Sequence, residues 1–243
     1  MMHPQLRQKC MEVLHAQTVK DYLRLNVEFV QSLGFHTIAA TVITDDSPHL
    51  TTFQSVTNAP SAYMSSFYDM ESAKLDPVSQ HCKRFSTPIV WNQTVYADEG
   101  RGDFWENQAQ FGYRSGVSVA LHLPRGRHFM FGVDSDQDKC IPRGQSQNML
   151  SDLCHFAAHS QAAAFDLCLP YSQAADESVL AHSELDALRR SMDGLTDWEV
   201  GRAMGISETE VLLRLRRAMK RLGCNNKYEA AIRAIRLGLV HCD

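Results

Sequence analysis

Apolar positions near the end of the chain follow a helical period. Val211, Leu215, Ala218 and Leu222 recur at steps of four, three and four, and Arg214, Arg217 and Arg221 fall on the other side of the same helix. Residues able to cap a helix N-terminus, each with an acid three positions later, occur at Ser183/Asp186, Thr196/Glu199, Ser207/Glu210 and Asn226/Glu229. Such pairs satisfy the backbone N–H groups that a first helical turn leaves open, so four short helices are predicted between residues 179 and 243. Gly194, Gly205 and Gly223 fall near the ends of the first three, where a left-handed residue is wanted. Only Gly205, Ile206 and Ser207 separate the second helix from the third, a connection that sets them at a steep angle. That is helix-turn-helix geometry.

Upstream the period changes. Leu23, Val27, Val30 and Leu33 make an amphipathic helix ended by Gly34, and 38–43 is a β-branched run closing at Asp45 and Asp46. Further strands are expected near 50–56, 116–123 and 128–134, with helices near 60–70, 77–85, 103–111 and 143–166. The predicted class is α+β: an N-terminal α/β/α sandwich with an antiparallel sheet between helices, then an all-α four-helix helix-turn-helix domain. Polar, helix-poor residues after Pro170 mark a linker, giving domains 1–168 and 179–243 joined by 169–178. The helix at 143–166, with Met149, Leu150, Leu153, Phe156 and Ala157, suits either a dimer surface or a lid on its own sheet.

Composition sharpens this picture. At 243 residues, 44% hydrophobic and 21% charged, the chain is an ordinary globular sequence with core enough for two unequal domains. Arg7, Lys9, Glu12 and His15 interrupt any export signal, and no stretch suits a bilayer span, so a cytoplasmic protein without membrane contact is expected. The net charge of −4 hides an asymmetry: residues 179–243 carry eleven Lys/Arg against nine Asp/Glu, and the rest thirteen against nineteen. The basic residues concentrate in 211–236, a footprint suited to phosphate contact. Seven cysteines without a CxxC pair read as reduced thiols. Cys154, His155, His159 and Cys168 can be drawn as a metal set, but 154–166 also reads as one helix with buried Cys and surface His, so no metal or cofactor is expected. The chain has no GxSxG, phosphate loop or HExxH, and Asp45-Asp46 lacks the spacing of a phosphorylatable receiver. Neither an enzyme nor a response regulator is predicted.

At this point two stretches carry a resemblance. The run Gly194-Leu-Thr-Asp-Trp-Glu-Val-Gly-Arg-Ala-Met-Gly-Ile-Ser207, then Ala218-Met-Lys-Arg-Leu-Gly223, Asn226-Lys227 and Leu237-Gly-Leu-Val240, resembles the LuxR-type DNA-binding domain. Asn58-Ala-Pro60, Tyr63, Phe67, Asp76-Pro77, Pro88, Trp91, Phe104-Trp105 and Gly112-x-x-x-Gly116 resemble the acyl-homoserine-lactone-binding domain of the same regulators. The resemblance implies contact with double-stranded DNA through Thr196, Ser207, Glu210, Leu213, Arg214, Arg217, Lys220 and Arg221. It also implies a signal-molecule pocket lined by Tyr63, Phe67, Tyr68, Asp76, Trp91, Phe104, Trp105 and Gly132, where Asp76 accepts from the ligand amide. Asp76 equally suits the cap of the helix that Pro77 opens, and the two roles are compatible.

Departures from the family accompany these positions. Tyr63 replaces the usual Trp, Phe67 the usual Tyr and Gly132 a Ser or Thr, with the Tyr68 hydroxyl nearby. In the DNA module Leu195, Glu210 and Arg214 stand where Lys, Thr and His are usual, and Leu212 and Leu213 occupy positions that are often polar. Glu210 is expected to be engaged by its own helix cap. The implied protein is a dimeric transcriptional regulator controlled by an acyl-homoserine lactone or another small molecule, with altered ligand preference. The alternative is a ligand-independent LuxR-like protein that antagonises a related regulator through heterodimer contact.

Overall fold

Alternation along the strands decides how the N-terminal unit is layered. A computed structural model describes residues 4–47, 50–67, 74–124, 126–138, 146–168 and 180–240, with backbone alone for 46, 47, 50, 65–67, 146, 147 and 236. The elements in order are α1 (Pro4–Leu14), α2 (Val19–Ser32), β1 (Thr37–Ser47), β2 (Leu50–Thr57), α3 (Ser61–Phe67) and α4 (Pro77–Arg84). They continue with β3 (Ile89–Trp91), α5 (Gln93–Asp98), α6 (Gly102–Ala109), β4 (Ser115–Leu123), β5 (Arg127–Ser135) and α7 (Ser146–Cys168). The strands form one five-stranded sheet in the order β2-β1-β5-β4-β3, with β5 antiparallel to both β1 and β4, and β4 antiparallel to β3.

One face of this sheet is aliphatic and packs under helices. Ile38, Ala40, Val42, Val117, Val119, Phe129, Phe131 and Val133 meet Leu6, Cys10 and Val13 of α1, Phe29 and Val30 of α2, and Leu153, Phe156 and Ala157 of α7. Phe29 and Phe156 stack at 3.7 Å between centroids. The Tyr22 hydroxyl lies 2.6 Å from Ser160 Oγ, which donates to Asn26 Oδ1 at 2.8 Å, so this buried polar group between α2 and α7 is satisfied. The other face is aromatic: Trp91, Ala120 and Met130 pack with Val78 and Cys82 of α4, Tyr96 of α5, Trp105 of α6 and Tyr113. Helices on both faces make the expected α/β/α sandwich.

Three elements were not expected. The sequence reading assigned nothing to α1, although Leu6, Cys10 and Val13 share one helical stripe and are buried. At three and six residues, β3 and α5 are too short to show a period. The open alternative for the long helix is also answered on the side of the lid: Met149, Leu153, Phe156 and Ala157 are buried in their own domain, with Leu150 packed at the edge of that core. His155 and His159 each set a ring nitrogen against a carbonyl of their own helix.

The chain divides into two compact units, the second built chiefly from the C-terminal segment. The expected linker, 169–178, lies outside the described residues. Its helices are α8 (His182–Met192), α9 (Asp197–Met204), α10 (Glu208–Leu222) and α11 (Lys227–Arg236), packed around Leu188, Val200, Val211, Leu215, Ala218, Leu222 and Ala234. Thr196 and Glu199 form the full reciprocal cap at the start of α9. The other three pairs need correction. The first helix starts earlier than the Ser183/Asp186 pair implies: Ala181 occupies the cap, and only the Glu184 carboxylate serves it, accepting from Ala181 N at 2.8 Å. Ser207 caps Glu210 N, but the Glu210 carboxylate turns to Arg214 instead of returning to the cap. Asn226 caps Glu229 N, whose carboxylate accepts from Asn225 N, one residue earlier than the pattern implies.

The helix-turn-helix corner is tight. Gly205 and Gly223 end α9 and α10 with φ of 67° and 64°, a left-handed turn that side chains with a Cβ resist. Gly201, inside α9, faces the next helix so closely that a Cβ there would lie 2.8 Å from the Ile206 carbonyl oxygen. Alanine inside a helix ordinarily gains about 1 kcal/mol over glycine. Here the sign reverses: Gly201→Ala is expected to lose about 1–3 kcal/mol to overpacking. Urea unfolding of the full-length protein checks it, and an unchanged or raised midpoint would refute the close approach. Among the described residues, no helix is long and apolar enough to cross a membrane.

Candidate functional site

The aromatic face of the sheet brings most of the predicted ligand residues together. Pro77 fixes the first turn of α4, and Asp76 before it is the N-cap, accepting from Val78 N at 3.2 Å, Ser79 N at 3.0 Å and Ser79 Oγ at 2.6 Å. A fourth donor comes from α5: the Tyr96 hydroxyl reaches Asp76 Oδ1 at 3.0 Å. Burial, then the charge of Asp76, raises the Tyr96 hydroxyl above its usual range, so it stays a donor.

Around this carboxylate the rings interlock. Tyr63 stacks on Tyr113 at 4.0 Å, Trp91 meets Tyr96 edge-on at 5.9 Å, and Phe104 lies parallel to Tyr96 at 6.0 Å. Trp105 is placed differently in chemical terms: its indole N–H donates to the Arg114 carbonyl at 2.9 Å, with the Arg114 guanidinium over its ring. Its donor is therefore engaged internally. Gly132 belongs to this face by strand register, opposite Ala39 and Ser118, and a Cβ there would meet Ser118 Oγ at 3.4 Å. Ser118 thus places a hydroxyl beside Gly132. Phe67 ends α3, its side chain lying outside the described residues together with the whole of Tyr68.

Several residues of this face were missed in the sequence. Tyr96 belongs to the unexpected α5, and Gln108 and Tyr113 were not singled out. Gln108 Nε2 and the Tyr113 hydroxyl are buried without a hydrogen-bond partner among the described residues. Gln108 approaches the Tyr96 hydroxyl, and Thr37 approaches Tyr113, without hydrogen-bond alignment. Burial, then Asp134, pushes the Tyr113 hydroxyl up to about 12. Asp134 itself, two residues beyond Gly132 and on the same face, is pushed up to about 8 by burial and then by Asp76. The period of two along β5 carried that signal: Met130, Gly132 and Asp134 share a side.

In the second unit, α10 presents the candidate nucleic-acid surface. Its stripe of Val211, Leu215, Ala218 and Leu222 is buried, and Leu213, Arg216, Arg217 and Lys220 are exposed. Arg216 was not singled out in the sequence. Ser207 and Thr196 are exposed at the starts of α10 and α9, each accepting from its own helix. Arg214 is half-buried, with its Nε 3.1 Å from Glu210 Oε1. Arg221 is held at 3.1 Å by Glu184, a buried carboxylate on α8. The expected row of three arginines is therefore split: Arg217 is outward, while Arg214 and Arg221 are committed to acids. Hydrogen bonds from the Thr196 backbone and side chain hold Glu199 below the usual carboxylate range.

Comparison with known proteins places these two sites. Residues 18–164 match the autoinducer-binding domain family, and residues 178–234 match the luxR family of bacterial regulatory proteins. The chain is 28% identical over 184 residues to the transcriptional activator protein AnoR of Acinetobacter nosocomialis, covering 75% of this chain and 76% of that one. It is 26% identical over 190 residues to TraR of Rhizobium radiobacter, covering 76% and 79%. Among solved structures, Escherichia coli SdiA superposes with a TM-score of 0.78 at 21% identity, over 97% of both chains. The two units define a transcription regulator with a signal-binding domain, not an enzyme. The chain belongs to the LuxR family of quorum-sensing regulators.

Proposed function

We propose that the protein binds an acyl-homoserine lactone or a related small molecule in domain 1–168 and, through linker 169–178, controls DNA binding by domain 179–243 as a cytoplasmic homodimer. The observation that carries the DNA half is the outer face of α10, where Arg216, Arg217 and Lys220 are exposed without an ion-pair partner among the described residues. A helix of this kind lies in a major groove, with Thr196, Ser207, Glu210, Leu213, Arg214, Arg217, Lys220 and Arg221 as the proposed contacts. Pairing on a two-fold repeat extends the few base pairs that one module reads. The proposed ligand contacts are Tyr63, Phe67, Tyr68, Asp76, Trp91, Phe104, Trp105 and Gly132. SdiA has been solved in complex with octanoyl-rac-glycerol, in a chain that superposes on this one with a TM-score of 0.79 at 20% identity. A head group other than a lactone is compatible with this fold.

Anisotropy titration of full-length protein on a fluorescent duplex, at several salt concentrations, tests the reading. Arg217→Ala and Lys220→Ala are each expected to weaken binding several-fold and to flatten the slope of log K against log salt by about 0.9, one phosphate contact apiece. An unchanged slope in both variants would remove α10 from the interface. The antagonist reading draws support from Leu212 and Leu213, 39% and 40% exposed on the same helix. It predicts no shift of duplex DNA by the wild type even at low salt.

A further inference from the structure

Hydrogen-bond accounting separates the two carboxyl groups of the aromatic face. Asp76 receives four donors, Val78 N–H and the Tyr96 hydroxyl on Oδ1, and Ser79 N–H and the Ser79 hydroxyl on Oδ2. An ionised carboxylate offers about four lone-pair sites, so a ligand reaching Asp76 must first displace a resident donor. Asp134 is in the opposite condition. Strand register sets it across from Thr37 on β1 and Gly116 on β4, on the side of Met130 and Gly132. Among the described residues its carboxyl makes no hydrogen bond or ion pair. Asp134 is half-buried, so part of its surface stays accessible.

Two more polar atoms on this side lack partners among the described residues: the Tyr113 hydroxyl and Gln108 Nε2, in residues each 4% exposed. Tyr113 lies close enough to Asp134 for the carboxylate charge to act on its hydroxyl, and Gln108 lies beside the Tyr96 hydroxyl that serves Asp76. Unsatisfied buried polar groups are costly, and several on one face point to a ligand that supplies what they lack.

We propose that Asp134, Tyr113 and Gln108 form a head-group anchor for a neutral, hydroxyl-bearing acyl amphiphile, with Asp134 the residue that sets the preference for it over a simple lactone. This rests on the reading of the domain as a small-molecule receptor. The three groups demand both kinds of partner. Gln108 Nε2 only donates, whereas the Tyr113 hydroxyl and a protonated carboxyl both give and take. Burial, then Asp76, favours the protonated form of Asp134. Adjacent hydroxyls answer all three. An ammonium head brings donors alone and leaves Gln108 unanswered, and a lactone brings acceptors with a single N–H. Gly132 adds no side chain to the wall between Asp134 and Met130.

Calorimetric titration of the full-length protein with three probes sharing an octanoyl or octyl tail tests this: 1-octanoyl glycerol, N-octanoyl homoserine lactone and octylammonium. Wild type is expected to bind the glycerol ester at least tenfold tighter than the other two. Asp134→Ala is expected to erase that preference, and Tyr113→Phe to reduce it about threefold, with Asp134→Asn and circular dichroism confirming that the variants fold. Tighter binding of the lactone, unmoved by Asp134→Ala, overturns the anchor and leaves the receptor reading standing. An Asp134-dependent preference for octylammonium overturns the neutral head group. Binding of none of the three by folded protein overturns the receptor reading itself.

Discussion

Asp134→Asn is expected to make the protein more stable than wild type at pH 8 and to leave stability nearly equal near pH 4. The carboxyl is pushed up to about 8 in the folded domain, by burial and then by Asp76, whereas an unfolded aspartate titrates near about 4. Between those values the unfolded chain releases a proton that the folded chain keeps. Wild-type stability therefore falls as pH rises through the window and levels off above the folded value. The groups facing Asp134 do not reverse this. Asp76 on α4 adds like charge, Tyr113 remains neutral here, and Thr37 and Gly116 carry none. Asparagine has no proton to lose. At about 1.4 kcal/mol per pH unit the ceiling is near about 5 kcal/mol, and relaxation around a partly accessible group brings the expected gain to about 2–3 kcal/mol. Urea unfolding at pH 4, 6 and 8 reads it directly. A constant difference between the two proteins across that range would mean that Asp134 is ionised throughout.

Gly116→Ala is expected to be among the most damaging single methyl additions in the N-terminal domain. A Cβ at this position would overlap the Val133 carbonyl oxygen and sit 2.6 Å from the Trp91 ring. The carbonyl belongs to β5, paired along its length with β4, so it has little room to retreat. The ring is the part that moves. A loss of about 2–4 kcal/mol follows from overpacking a dense core, accompanied by a change in tryptophan emission as Trp91 leaves its buried seat. With Trp91→Ala in the same chain, the double variant should lose less than the sum of the two single losses, because one of the two overlaps is gone. Additive losses in the double variant would show that Trp91 does not rest on Gly116.

What could be read in advance follows from how local each signal is. The helix-turn-helix was legible because Thr196, Ser207, Gly205 and Gly223 act within one turn of their own backbone. Asp76 was legible as a cap for the same reason: Pro77 and the acceptor are adjacent. Less could be known where a side chain chooses between partners. The Glu210 carboxylate had a cap and an arginine within reach and took the arginine. Glu184 serves both Ala181 and Arg221, a pairing between α8 and α10 that no local pattern announces. The aromatic face was legible only as a set of rings. That Tyr96 fills Asp76, and that Asp134 faces the same side unfilled, depends on strand register and on a six-residue helix.

On the proposed interface the Arg214–Glu210 pair on α10 would give the DNA module a threshold. An arginine already resting on a carboxylate one turn away stays there unless a stronger acceptor arrives in the right direction. On the proposed interface a generic duplex would offer phosphates, which Arg216, Arg217 and Lys220 would meet without any exchange. A guanine edge presenting two acceptors in the plane of the guanidinium is the kind of partner that draws Arg214 away. Non-specific encounters would then leave the pair intact, while a cognate sequence would open it. The departure from the family pattern at Glu210 and Arg214 would thereby widen the gap between the correct site and the rest of the genome.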